Sequence, residues 1–277
     1  MNLNYIKPDE WKIVEEGFGK GNVTASESLF SLGNGAMGQR ANFEETYGGE
    51  TFQGSYIGGI YYPDKTRVGW WKNGYPEYFA KVLNAPNWIG IDVTVNGREL
   101  DLNKCKIIEF RRELDMKEGI LNRTFVAELE GGDTVKVNSR RFLSMKHNEV
   151  GAIKYSVTPI NFDGEISFSP YIDAGIMNED ANYDEYFWEI LDSKEEQNEA
   201  YILSKTLKTE FHVCTGMKVE MALNDFLIDL EKEVTRNDKK IRFSYKTEVK
   251  SGDTFTLFKY GGYVQSMNHP KKELFNA

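Results

Sequence analysis

Ile89-Gly90-Ile91-Asp92-Val93-Thr94-Val95-Asn96-Gly97-Arg98-Glu99-Leu100-Asp101-Leu102 is the stretch that decides the fold class. Apolar and polar residues alternate up to Val95, the period of a strand with one buried face. Asn96-Gly97 is the pair that most readily adopts the two positive φ angles of a tight hairpin turn, so Arg98 to Leu102 returns antiparallel. The same style continues downstream. Strands are expected at Leu121 to Leu129, at Thr134 to Leu143 beyond a Gly131-Gly132-Asp133 turn, and at Gly151 to Thr158. Pro159 stops the last of these, because proline cannot extend a central ladder. Further strands are expected at Glu165 to Ile172, Ala200 to Leu207, Phe211 to Cys214, Lys218 to Leu223, Lys239 to Val249 and Thr254 to Ser266. About a dozen strands suit two large packed sheets. Helices of about 10–15 residues between strands, which a doubly wound α/β protein needs, are missing. The fold class is therefore all-β and antiparallel, with few short helices.

Two stretches interrupt this pattern. Residues 174 to 199, with Asn178, Glu179, Asp180, Asp184, Glu185, Glu195 and Glu196, are acidic and weakly periodic, and read as a long exposed excursion between strands. Residues 44 to 88 are rich in Gly, Tyr, Trp and Pro. Burial of Trp70, Trp71, Tyr75, Tyr78, Phe79 and Trp88 would supply the energy to order such a loop.

Composition narrows the function classes. The 277 residues are 40% hydrophobic and 13% aromatic, enough for a large core, and no internal repeat or Pro- or Ser-rich linker divides them. One domain over residues 1–277 is expected. A net charge of −9 repels phosphate backbones, which argues against a nucleic-acid partner and is compatible with a neutral ligand such as a sugar. There is no apolar run of about 18 residues and no basic-then-apolar leader, so a cytoplasmic protein without a membrane partner is expected.

Catalytic groups are hard to find. Cys105 and Cys214 are too few for a disulfide framework or a paired zinc site and read as buried thiols. His147, His212 and His269 are scattered, with no metal-ligand spacing. No Gly-x-Ser-x-Gly elbow occurs. With 43 carboxylates, adjacent pairs such as Glu44 and Glu45, or Asp115 and Glu118, carry no signal by themselves.

Ser26-Glu27-Ser28-Leu29-Phe30-Ser31-Leu32-Gly33-Asn34-Gly35-Ala36-Met37-Gly38-Gln39-Arg40, followed by Phe43-Glu44-Glu45, resembles the opening signature of glycoside hydrolase family 65. Three more blocks follow in the family's order: Gly58-Gly59-Ile60-Tyr61, Leu83 to Trp88 running into Ile91-Asp92-Val93, and Phe110 to Met116 leading into Arg140 to Met145. The resemblance covers about the first 160 residues. It implies a galactose mutarotase-like β-supersandwich placed before a helical linker and an (α/α)6 barrel. Residues 268–277 would open that linker, at a boundary within a longer protein. In the family a barrel Glu is the general acid, and inorganic phosphate, a co-substrate and not a cofactor, attacks the anomeric carbon with inversion. Nothing here matches that Glu or the phosphate loop, so no catalytic residue, metal or cofactor is expected in these residues. The tract Tyr61 to Pro76 is similar to the maltose-cleaving branch, with kojibiose, nigerose and trehalose as alternative disaccharides. The implied partners are the barrel, the disaccharide and a second copy in a homodimer.

Candidate residues beside the substrate or at a domain interface are Asn34, Arg40, Trp70, Trp71, Tyr75 and Trp88. Gly33-Asn34-Gly35 with Gly38 lacks a phosphate-loop lysine, and reads as a tight turn or as a loop facing the barrel. Trp70, Trp71 and Tyr75 could stack on pyranose faces beside Asp64, Lys72 and Asn73, or could pack the loop onto its own sheet or a neighbouring domain. A stand-alone carbohydrate-binding sandwich is the alternative function. A mutarotase-like enzyme, which needs a positioned His and Glu, ranks third.

Overall fold

The computed structural model describes residues 5–66, 74, 76–178 and 186–277. In chain order the strands are β1 (Ile6–Pro8), β2 (Lys12–Glu16), β3 (Leu32–Gly33), β4 (Met37–Gln39), β5 (Ser55–Ile57), β6 (Tyr61–Lys65), β7 (Tyr78–Val82), β8 (Ile91–Val95), β9 (Arg98–Glu99), β10 (Lys106–Asp115) and β11 (Ile120–Glu128). They continue as β12 (Thr134–Leu143), β13 (Val150–Pro159), β14 (Gly164–Asp173), β15 (Trp188–Glu196), β16 (Glu199–Thr206), β17 (His212–Leu223), β18 (Phe226–Ile228), β19 (Glu233–Arg236), β20 (Lys240–Val249) and β21 (Phe255–Gln265). One α-helix, α1 (Val23–Leu29), and two short 3-10 turns accompany them among the described residues.

An eleven-stranded sheet runs β1-β2-β10-β11-β12-β13-β21-β17-β16-β15, with β18 paired to β17, and a five-stranded sheet runs β19-β20-β14-β8-β9. All pairings are antiparallel, and small sheets β3-β4-β5 and β6-β7 sit beside these two. The all-β, antiparallel class expected from alternation is the one observed.

The core lies between the two large sheets. Phe168 of β14 stacks on Phe255 of β21 at 4.4 Å between centroids, and Tyr155 meets Phe168 edge-on. The Asn96-Gly97 turn forms as expected, with φ of 49° and 74°. Asn96 also accepts from the Glu165 N–H, which ties the β8-β9 hairpin to β14.

Three expectations need correction. Residues 188–196, read as part of an exposed excursion, form strand β15 at the edge of the large sheet, paired with β16. The expected break between Phe211 to Cys214 and Lys218 to Leu223 does not exist, since β17 runs through Gly216 without interruption. The 44–88 stretch contains a hairpin, β6-β7, whose inward Asp64 and Lys81 pair at 3.3 Å.

Candidate functional site

The segment that carries the family signature begins on α1 and ends at Glu45. Asn34 uses its whole amide group internally. Its Oδ1 accepts from the Ala36 and Met37 backbone N–H groups, and its Nδ2 donates to the Ser144 and Asn148 carbonyls at 2.8 and 2.9 Å. The side chain therefore closes its own turn and pins that turn to the connection between β12 and β13. Arg40 donates to the Phe52 and Thr24 carbonyls and lies 3.8 Å from Glu27. Glu27, buried on α1, accepts in turn from Thr51 and from the Phe52 N–H.

Beyond Arg40 the chain delivers Glu44 and Glu45 into the sandwich, where both are buried against the inner face of β10-β11-β12. Arg123 donates to both carboxylates, Tyr155 donates to Glu45 at 3.1 Å, and Arg141 lies 3.5 Å from Glu44. Arg112 completes the row, 3.4 Å from Glu15, with its guanidinium among the rings of Phe30, Phe43 and Phe110. These arginines sit where alternation calls for apolar residues. Arg123 is in phase with Leu121 and Phe125, and Arg112 with Phe110 and Leu114. That phase conflict was the available signal for the cluster, and reading the strands as motif blocks passed over it.

Electrostatics follow from burial opposed by pairing. Burial alone would raise the Glu44 carboxyl, but the charges of Arg141 and Arg123 outweigh it and hold Glu44 below its ordinary value. Glu15 goes the other way: burial raises it and Arg112 only partly compensates. Burial pulls Arg112 down to about 10 against the pull of Glu15. A carboxylate clamped by arginines and shut away from solvent has no route for exchanging a proton with a substrate. The chemistry of this cluster is cohesion between the signature segment and the large sheet.

Trp88 is wholly buried, in a seat made by missing side chains. A Cβ on Gly151 would stand 2.8 Å from its ring, and one on Gly261 would stand 2.6 Å away. The indole presents no surface on this side of the molecule. Lys259, also buried on β21, bridges to the opposite layer by donating to the Gly90 and Tyr171 carbonyls at 2.7 and 2.8 Å. Burial drives its ammonium well below the ordinary lysine value. Trp70, Trp71 and Tyr75, with Lys72 and Asn73, lie outside the described residues. Cys105 and Cys214 are free thiols, and burial pushes Cys214 up to about 12. Among the described residues no three His, Cys, Asp or Glu side chains are grouped to hold a metal ion, and no helix is long and apolar enough to cross a membrane.

Fold and site together define a large two-sheet antiparallel sandwich whose signature residues are joined to one another and to its sheets. The chain belongs to glycosyl hydrolase family 65, matching the description "Glycosyl hydrolase family 65, N-terminal domain" over residues 13–277. It is 46% identical over 211 residues to the maltose phosphorylase of Bacillus subtilis (strain 168), which covers 76% of this chain and 28% of that protein. With the kojibiose phosphorylase of Thermoanaerobacter brockii it shares 31% identity over 221 residues, covering 79% of this chain and 27% of that protein. A solved structure described as a putative kojibiose phosphorylase from human microbiome superposes with a TM-score of 0.81 at 26% identity, covering 94% of this chain and 33% of that one. The chain thus spans a third or less of the length of each of these relatives.

Proposed function

We propose that this chain is the non-catalytic N-terminal part of an inverting α-glucoside phosphorylase that converts maltose and inorganic phosphate into glucose and β-glucose 1-phosphate. The 46% identity to a maltose phosphorylase across three quarters of the chain carries this reading. In it, residues 1–277 form one domain, and residues 268–277 open the linker to an (α/α)6 barrel. A barrel Glu protonates the glycosidic oxygen while phosphate attacks the opposite face of the anomeric carbon, so an α-linkage yields a β product. Phosphate is the co-substrate and no cofactor is required. The sandwich buttresses the barrel, walls one side of the active-site entrance and buries surface in a homodimer, all in the cytoplasm.

The network of Glu44, Glu45, Arg123 and Arg141 supports a buttressing role, because it fixes the signature segment rigidly to the large sheet. The test compares the complete protein containing this chain with a version lacking residues 13–277. Maltose phosphorolysis releasing β-glucose 1-phosphate is expected from the first and a severe loss from the second. Phosphorolysis of kojibiose or trehalose in preference to maltose would overturn the substrate assignment.

A further inference from the structure

The two ends of the eleven-stranded sheet differ in what their connections expose. Register brings the β1-β2, β10-β11, β12-β13 and β16-β17 connections and the exit of β21 to one end, where Lys12 pairs with Asp115, Ile120 with Phe142, Leu143 with Gly151, Val150 with Gly262 and Val213 with Gln265. Each of these connections carries a large exposed apolar side chain: Trp11, Met116, Met145, Leu207 and Met267, from 46% exposed at Leu207 to 77% at Met145. Together they form a rim across the neighbouring strands from β2 to β16, roughly 30 Å long at the spacing of paired strands. At the opposite end, turns 130–133, 160–163, 224–225 and 250–254 are rich in Gly, Asn and Asp and bond to one another. There Asn224 donates to Asp253 and the Ser251 N–H to Asp163, both at 2.8 Å, and Ile160 is the one exposed large apolar residue in these turns.

The backbone under the rim is fixed. Asn34 pins the connection 144–149, and His269 joins the exit of β21 to the same connection by meeting both oxygens of Glu149 at 3.0 Å. Met267 packs on the turn after β5, where a Cβ on Gly59 would stand 2.8 Å from its Cε. Three of the five rim side chains are methionines, whose unbranched thioethers fit an irregular apolar surface. An apolar row of this length on a held backbone suits a macromolecular contact, since an interface of about 800 Å² per partner is roughly 30 Å across. The path of the chain says which contact. β21 delivers residues 266–277 beside the rim, where Leu274 is buried and Phe275 stands edge-on to Tyr201. The phosphorylases similar to this chain are about three times its length or more. A domain attached after residue 277 starts next to the rim and meets it at high effective concentration, an advantage that a second copy lacks.

We infer that this rim is the face on which the helical barrel docks, an inference that rests on the phosphorylase reading. Apolar side chains of the barrel cover Trp11, Met116, Met145, Leu207 and Met267. Asn34 and His269 are positioning residues for this contact, because they hold the two connections that carry Met145 and Met267. The polar end of the sheet stays in water.

Amide hydrogen exchange in the complete protein containing this chain tests it. Residues 144–149 and 266–270 should be protected in the parent, and the double variant Met145→Glu, Met267→Glu should speed their exchange roughly tenfold or more. Phe226→Glu, at an exposed position of β18 near the opposite end, should leave both segments unchanged. Met145→Glu alone decides the matter if the double variant fails to fold, because Met145 is the most exposed side chain of the rim. Exchange as fast in the parent as in the variant overturns the docking face. Protection that disappears when the parent is diluted from dimer to monomer overturns it too, since a second copy would then be the cover. Maltose phosphorolysis by the parent is measured separately: its absence refutes the phosphorylase reading, whereas the rim is judged on exchange alone.

Discussion

On one side of the eleven-stranded sheet, β2, β10, β11 and β12 point Glu15, Arg112, Arg123 and Arg141 into the sandwich. On the other side, β13, β21, β17 and β16 point apolar, hydroxyl, amide and glycine residues inward, and Lys259 is their one inward charge among the described residues. Each side therefore fails differently. The charged side depends on completeness, because an ion whose partner is removed stays buried and uncompensated. The apolar side depends on shape, because Trp88 fits only where Gly151 and Gly261 leave room.

Removing Arg123 should break the comparison most severely. Arg123→Met leaves Glu45 buried with only the Tyr155 hydroxyl and Glu44 with Arg141 as its remaining arginine, and should cost about 3–5 kcal/mol in urea unfolding. A cost under about 1 kcal/mol would mean that the cluster is hydrated in solution. Next comes the shape-dependent side, where Gly261→Ala should cost roughly 1–3 kcal/mol by pressing on Trp88. The part owed to the ring should disappear in a Trp88→Leu background, leaving the part owed to the Gly216 carbonyl 2.9 Å from the same Cβ, and fully additive costs would refute the fit between ring and glycine. Asn34→Ala should follow at about 1–2 kcal/mol, since four hydrogen bonds are lost from a half-buried turn.

The smallest effects are in the response to pH, and they have opposite origins. Glu44 is held below its ordinary value of 4.5, so its contribution is complete above that pH and disappears as pH falls through its folded value. Glu44→Gln should flatten the acid limb of the stability curve. Lys259 is held below 10.5, so the unfolded chain binds the proton more readily, and its burial costs stability that is recovered as pH rises towards 10.5. Lys259→Met should therefore reduce the rise in unfolding free energy as pH climbs towards 10.5 relative to the parent chain.

Much of the apolar side was legible in the sequence, because inward Val, Ile and Phe at every second position leave a period that needs no partner to be read. Pro159 and Asn96-Gly97 marked boundaries for equally local reasons. Edge strand β15 escaped notice because Asp192, Ser193, Lys194, Glu195 and Glu196 lie in a strand with one paired edge and half-exposed side chains. Its hydrogen bonds come from the backbone and leave no apolar period. Gly216 looked like a break because a glycine's purpose in a strand depends on what crosses it, here Tyr201. The charged cluster was visible only as arginines in apolar phase, a contradiction that pairing across about 80 residues of sequence resolves. Asn34 and Arg40 were legible as members of a signature, while their hydrogen-bond partners depended on the fold.

If the charged groups of this sandwich are architectural, the chain should have no turnover of its own. Purified residues 1–277 incubated with maltose and inorganic phosphate, with β-glucose 1-phosphate as the readout, test this most directly. No product above background is predicted; sustained phosphorolysis by the isolated chain would contradict the account.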